Sequence, residues 1–144
     1  MRKEIEARLS EMLRLILGVL LGVVVGMVVT GVVEGMGHTI FPPPPGVDLT
    51  DPAALGTVMS KIPLEAKIAV LLAWFLGVLF GASTANLIAG RRAWAGRIAA
   101  LCLFAFSAWT LTLIPHPTWF VVATPIAALI AAFAAEKAFG RPRA

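Results

Sequence analysis

Three polar side chains near the ends of long apolar runs are the best candidates for chemistry in this sequence: Glu34, His38 and His116. Glu34 and His38 are four residues apart, so on a helix they lie one turn apart on the same face. A carboxylate and an imidazole at that spacing can bind a metal ion or pass a proton, because histidine titrates near neutrality. We therefore predict a candidate polar, proton or ligand site at these three residues and leave its metal open.

The same spacing is also typical of a structural anchor. A helix rises about 28 Å from Leu15 to Glu34, which places Glu34 near the edge of a bilayer and not at its centre. A carboxylate at that depth can be hydrated, or it can pair with a histidine and fix the start of a loop. The expected donor to Glu34 is His38 or His116, and both interpretations of the cluster stay open.

The rest of the sequence excludes several classes of protein. The single cysteine, Cys102, lies inside an apolar run, so neither a disulfide framework nor a cysteine-based metal site is expected. There is no nucleophile elbow, no metalloprotease HExxH and no phosphate-binding glycine loop. We predict a protein that is not an enzyme and that has no cofactor.

The elements that position these residues follow from four uncharged apolar runs. The chain has 144 residues, 59% of them apolar and 14% charged, with a mean hydropathy of +0.90. Runs of 18 to 22 residues without a charge occur at 15–33, 68–89, 98–115 and 117–135, and a membrane-spanning helix needs about 20.

The prediction is an all-α, polytopic membrane protein that forms one domain over residues 1–144. Its four transmembrane helices, at about 13–36, 63–89, 95–114 and 117–138, form an antiparallel bundle. An outer loop at 37–62 contains a short periplasmic helix with Asp51 as its N-cap and Pro52 at its first position.

The basic residues predict the orientation of the spans. Ten of the twelve Lys and Arg residues lie at 1–14, 91–97 and 137–143, whereas only Lys61 and Lys67 lie in the large connection or just after it. The positive-inside rule then places both termini in the cytoplasm of a multi-pass protein of the bacterial inner (plasma) membrane. The same bias accounts for the sequence pI of about 10.0, which could otherwise suggest nucleic-acid binding. No nucleic-acid partner is therefore expected.

Small residues follow a four-residue step in the first span: Gly18, Gly22, Gly26 and then Thr30. The second span has Gly77 and Gly81 at the same step. Small residues let helix backbones approach closely in lipid, where little hydrophobic drive joins helices. These glycines are predicted helix-packing positions, either within one chain or against a second subunit. The expected partners are the lipid bilayer and, as an open alternative, a homo-oligomer or another membrane protein.

The segments 34–46, 51–52 and 116–120 resemble those of small bacterial four-helix inner-membrane proteins with no assigned activity. That resemblance covers most of the chain and implies fold and location only. Size and helix number are also similar to those of small multidrug transporters and fluoride channels. The first span, however, lacks an acid before Glu34, and the charge bias disfavours the dual topology of the fluoride channels.

Three functions remain open at this point. The first is an accessory or structural membrane protein that acts through helix packing. The second is a small oligomeric channel or transporter for an ion or small solute, with a path along the glycine stripe. The third is a membrane enzyme or a metal-handling membrane protein that uses Glu34, His38 and His116.

Overall fold

The computed structural model describes residues 1–42, 45 and 59–140. Within these residues the chain forms long helices and no strand. The helices are α1 (Arg2–Ile40), α2 (Leu64–Ile88), α3 (Ala93–Leu113) and α4 (Thr118–Phe139). All four are long and apolar enough to cross a membrane. The prediction of an all-helical chain with four candidate spans is confirmed.

Helix α1 is longer than the apolar run that predicts it. It begins at Arg2, not near residue 13, and its 39 residues rise about 58 Å, roughly twice the thickness of the hydrocarbon core. The charged leader continues the helix because its Arg, Lys, Glu, Ala and Leu residues are strong helix formers. Arg92 pairs with Glu11 at 3.0 Å and so joins this leader to the connection between α2 and α3. The predicted periplasmic helix lies mostly outside the described residues.

Helix α2 is the centre of the fold. Both α2 and α3 pack against each of the other three helices, and the contacts of α2 with α1 and with α4 are the most extensive. In the described part of the chain, α1 and α4 make little contact with each other. The α2–α3 pair therefore separates α1 from α4.

The most extensive helix–helix contact is between α1 and α2, and it includes a surface we call the glycine seam: Gly18, Gly22 and Gly26 of α1 against Gly77 and Gly81 of α2. An added Cβ on Gly22 would lie 2.6 Å from the Gly81 carbonyl oxygen, and one on Gly26 would lie 2.8 Å from that of Gly77. From Gly22 to Gly26 the contacts advance along α1, while on α2 they move back from Gly81 to Gly77. Backbones can approach this closely only where both helices lack side chains.

Small residues fill the interior and long apolar residues cover the outside. Most buried side chains are alanines, and the two largest that are fully buried are Phe120 and Asn86. About half of the surface of many long apolar side chains is exposed, as at Leu20, Val24 and Phe133. This distribution is the reverse of that in a water-soluble domain, whose large apolar residues are usually inside.

Candidate functional site

Glu34 is fixed by a hydrogen bond between α1 and α2. It lies six residues, or about 9 Å, before the end of α1, and it is half-buried. Its Oε1 accepts a hydrogen bond from Trp74 Nε1 at 2.6 Å. One turn earlier, Thr30 Oγ1 donates to the Ala73 carbonyl at 3.4 Å. The face that begins with the glycine seam therefore continues as a polar contact towards the end of α1.

Three aromatic side chains beside this carboxylate pack against one another, and we call them the aromatic wall: Trp74, His116 and Phe120. His116 stacks on Phe120 with ring centroids 4.7 Å apart, and Trp74 meets Phe120 edge-on at 5.4 Å. Phe120 is fully buried and only 8% of Trp74 is exposed. A buried indole N–H needs an acceptor, and Glu34 supplies it.

The orientation of His116 follows from its contact with the connection between α3 and α4. Its Nδ1 lies 2.7 Å from the Ile114 carbonyl oxygen. Because a carbonyl only accepts, Nδ1 carries the proton and donates. In the neutral ring, Nε2 is then left as an acceptor.

A cavity of about 260 Å³, here called the outer cavity, opens at this end of the bundle. Since one water molecule takes up about 30 Å³ of liquid volume, this space corresponds to about nine water molecules. Its lining includes Glu34, His38 and His116, together with Lys67 and the aromatic wall. Glu34 is the acidic side chain and Lys67 the lysine among the described residues that line it. A cavity that presents both charges is suited to a polar group with a positive and a negative end.

A second cavity of about 260 Å³, here called the crevice, lies between α1 and α3 with α2 behind it. Met27 and Phe106 line it and are about half exposed, so the crevice opens on the outside of the bundle. Glu34, Trp74 and Thr110 line both cavities. The carboxylate therefore lies where the two cavities meet.

The structure brings the three residues of the predicted site, Glu34, His38 and His116, to the outer cavity. The expected histidine donor to Glu34 is wrong, because the donor is Trp74. His38 is exposed at the rim. Within residues 1–42, 45 and 59–140, no group of three or more His, Cys, Asp or Glu side chains is placed to hold a metal ion.

At the opposite end of the bundle, Asn86 connects three helices. It is 1% exposed, its Oδ1 accepts from the Gly96 N–H of α3 at 2.8 Å, and its Nδ2 donates to the Ala135 carbonyl of α4 at 3.4 Å. We call this residue and its neighbours the inner cluster, which also contains a two-point ion pair of Arg97 with Glu136, at 2.8 Å for each contact. The first N–H groups of α3 need an acceptor, and this requirement is the signal from which Asn86 could have been found.

The turn between α2 and α3 belongs to the same cluster. Gly90 and Arg91 both have positive φ, at 71° and 63°, and a left-handed backbone is uncommon for arginine. The Arg91 N–H donates to the Asn86 carbonyl at 2.7 Å, and the Arg91 guanidinium donates to the Ala138 carbonyl at 2.9 Å. Both bonds hold the turn in this conformation.

No family model matches the chain, and no curated protein or solved structure shows significant similarity to it. The function must therefore be inferred from the geometry.

Proposed function

We propose that this chain is a small multi-pass protein of the bacterial inner membrane, an accessory or structural component that acts through helix packing. The observation that carries the proposal is the glycine seam. The small-residue face of α1 is occupied by the backbone of α2, so a Cβ on Gly22 would meet the Gly81 carbonyl at 2.6 Å. The channel alternative places its path along this same face, where no room remains.

The distribution of side chains supports insertion of the bundle into lipid. Alanine is the most frequent buried residue of its interior, and many Leu, Val, Ile and Phe side chains are exposed on its outside. In a bilayer, long apolar side chains contact lipid while small ones allow the helices to approach each other. An antiparallel bundle follows, because four spans joined by connections at their ends must alternate in direction.

The placement of both termini in the cytoplasm is supported by charge and by one contact. The leader carries four of the twelve Lys and Arg residues and the α2–α3 connection carries two more, which favours the cytoplasmic side for both segments. The ion pair of Arg92 with Glu11 joins these two segments directly. Two segments in contact outside the apolar core lie on the same side of the membrane.

Cysteine labelling in intact cells tests the orientation. In a Cys102→Ala background, Ser60→Cys should react with a membrane-impermeant thiol reagent, whereas Ala93→Cys should react only after the cells are opened. Ser60 is exposed and Ala93 is the first residue of α3. Labelling of residue 93 in intact cells, with residue 60 protected, would reverse the proposed orientation.

Ion flux separates the accessory function from the channel or transporter. The full chain is reconstituted into vesicles loaded with a pH- or potassium-sensitive dye, and insertion is checked by labelling Ser60→Cys. We expect the leak to equal that of protein-free vesicles of the same lipid. A saturable flux that Glu34→Gln abolishes would favour the transporter and overturn the proposal.

A further inference from the structure

We propose that the outer cavity and the crevice together form a binding site for one aminophospholipid, a lipid whose headgroup carries a primary ammonium and a phosphate. The ammonium binds Glu34, the phosphate lies towards Lys67, and one acyl chain occupies the crevice between α1 and α3. The inference rests on the membrane location proposed above and adds a ligand to it.

Glu34 is placed to bind a hydrogen-bonding cation. Its Oε1 accepts from Trp74, so the geometry of the carboxylate is fixed while its second oxygen can accept from a ligand. The rings of the aromatic wall line the same cavity as the carboxylate. A primary ammonium can donate a charge-assisted hydrogen bond to a carboxylate, whereas a choline headgroup has no N–H to donate.

Lys67 supplies the complementary charge. It lies in the first turn of α2 and lines the same cavity as Glu34. A zwitterionic headgroup carries both charges, and Glu34 and Lys67 both line this cavity. In the described part of the chain neither Glu34 nor Lys67 belongs to an ion pair. Among those residues, a simple cation would leave Lys67 unmatched and a simple anion would leave Glu34 unmatched. The pair of charges therefore favours a headgroup with both.

The crevice has the chemistry that an acyl chain needs. Its lining includes Met27, Val78, Leu103 and Phe106, and its hydroxyl groups are already bonded to helix carbonyls, as Ser107 is to Leu103 at 3.3 Å. The crevice adjoins the outer cavity at Glu34, Trp74 and Thr110. A ligand whose charged end meets Glu34 and Lys67 and whose other end lies against Met27 in the crevice must be an amphiphile. Lipids are the amphiphiles that surround a membrane protein.

Native mass spectrometry of the full chain in detergent tests the headgroup. Phosphatidylethanolamine and phosphatidylcholine with identical acyl chains are added at matched concentrations. Because a charge-assisted hydrogen bond changes affinity about tenfold, the ethanolamine lipid should bind about tenfold more tightly than the choline lipid. Equal binding of the two lipids would overturn the assignment.

Two carboxylate variants identify the residue that selects the headgroup. Glu34→Gln keeps an oxygen that accepts from Trp74 but removes the charge, so it should abolish the tenfold preference. Glu65→Gln makes the same change at the same end of the bundle on an exposed residue outside both cavities, so it should preserve the preference. A preference retained in Glu34→Gln, or lost equally in both, would contradict the proposal.

Two glycine variants test the acyl-chain position without disturbing the helix contacts. An added Cβ on Gly31 or Gly35 meets no atom within 4 Å, yet only Gly31 lines the crevice. Gly31→Leu should weaken binding of both lipids several-fold, whereas Gly35→Leu should leave it unchanged, with both melting temperatures at or above that of the wild type. Equal effects of the two variants would show that the chain does not lie in the crevice.

Glycerophosphoethanolamine, which has the headgroup without acyl chains, separates a lipid site from a site for a free polar ligand. We expect it not to displace the lipid at equal concentration. Equal competition would overturn the lipid assignment. All these measurements are made in detergent and need no sealed vesicle, so their failure is distinguishable from a failure of the flux and labelling tests above.

Discussion

The two ends of the bundle are built in different ways. At the inner end, Asn86 bonds to α3 and α4, and Arg97 forms a two-point ion pair with Glu136. At the outer end, the polar side-chain contact between helices in the described residues is the hydrogen bond of Trp74 with Glu34 and that of Thr30 with the Ala73 carbonyl, beside the aromatic wall, and two cavities adjoin them. The same four helices thus close at one end and leave space at the other.

This difference indicates a division of roles between the ends. Buried polar groups whose hydrogen bonds are all made fix one arrangement of helices, because any other arrangement leaves them unpaired in a low dielectric. Cavities give side chains and ligands room to move. We infer that the inner cluster sets the register of the helices and that the outer end is the part able to bind a ligand.

The largest effect is expected from a change that moves α1 away from α2 and so disturbs both ends of the bundle. Gly22→Leu places a side chain where a Cβ alone lies 2.6 Å from the Gly81 carbonyl oxygen, so α1 must move away from α2. We expect a loss of about 3 kcal/mol or more of stability, at or above the upper end of overpacking costs. The readout is the thermal melting temperature in detergent.

Val24→Leu is the matched control for the glycine seam. Val24 lies on the same helix two residues later and is 54% exposed, so a larger apolar side chain there meets lipid or detergent. Its melting temperature should match that of the wild type. Equal melting temperatures for Gly22→Leu and Val24→Leu would show that the seam is not a tight contact.

The second-largest effect is expected from a change that is confined to the inner end of the bundle. Asn86→Ala removes the acceptor of the buried Gly96 N–H and the donor to the Ala135 carbonyl. An unsatisfied buried polar group costs about 1–3 kcal/mol, and we expect a destabilisation of about 2 kcal/mol. Thr84→Ala is the control, because its hydroxyl bonds only within its own helix, to the Phe80 carbonyl. If Thr84→Ala lowers the melting temperature as much as Asn86→Ala does, the loss of stability does not come from the contacts of Asn86 between helices.

The smallest effect is expected from a change that is confined to the outer end of the bundle. Trp74→Phe keeps a ring in the aromatic wall but removes the N–H that donates to Glu34. We expect a loss of about 1 kcal/mol, since Glu34 remains partly accessible and can take another donor. Trp109→Phe, at a residue that is 66% exposed, should change nothing. A loss larger than that of Asn86→Ala would mean that the outer end is the better fixed of the two.

Sequence reasoning predicts the helices better than it predicts their contacts. Four uncharged runs are enough to predict four spans, and the four-residue step from Gly18 places Glu34 on the face that packs against α2. The apolar run does not predict that α1 begins at Arg2. The charged residues that precede the run are good helix formers, so the helix extends beyond the run towards the N-terminus.

The partners of Glu34 and Asn86 could not be read from spacing. Trp74 meets Glu34 because of the relative register of α1 and α2, which the glycine seam sets in three dimensions. Asn86 is near the end of α2 in sequence, where a side chain can reach water. It is buried because α3 and α4 close over it. Periodicity within one helix carries no information on such contacts.

Hydrogen–deuterium exchange of the wild-type chain in phosphatidylcholine nanodiscs tests the difference between the two ends most directly. We predict faster exchange of backbone amides in the outer turns, at residues 35–40 and 66–70, than in the inner turns at 84–90 and 95–99. Replacing part of the lipid with phosphatidylethanolamine should slow exchange at the outer turns alone. Equal exchange at the two ends, or slowing at the inner turns, would contradict the account.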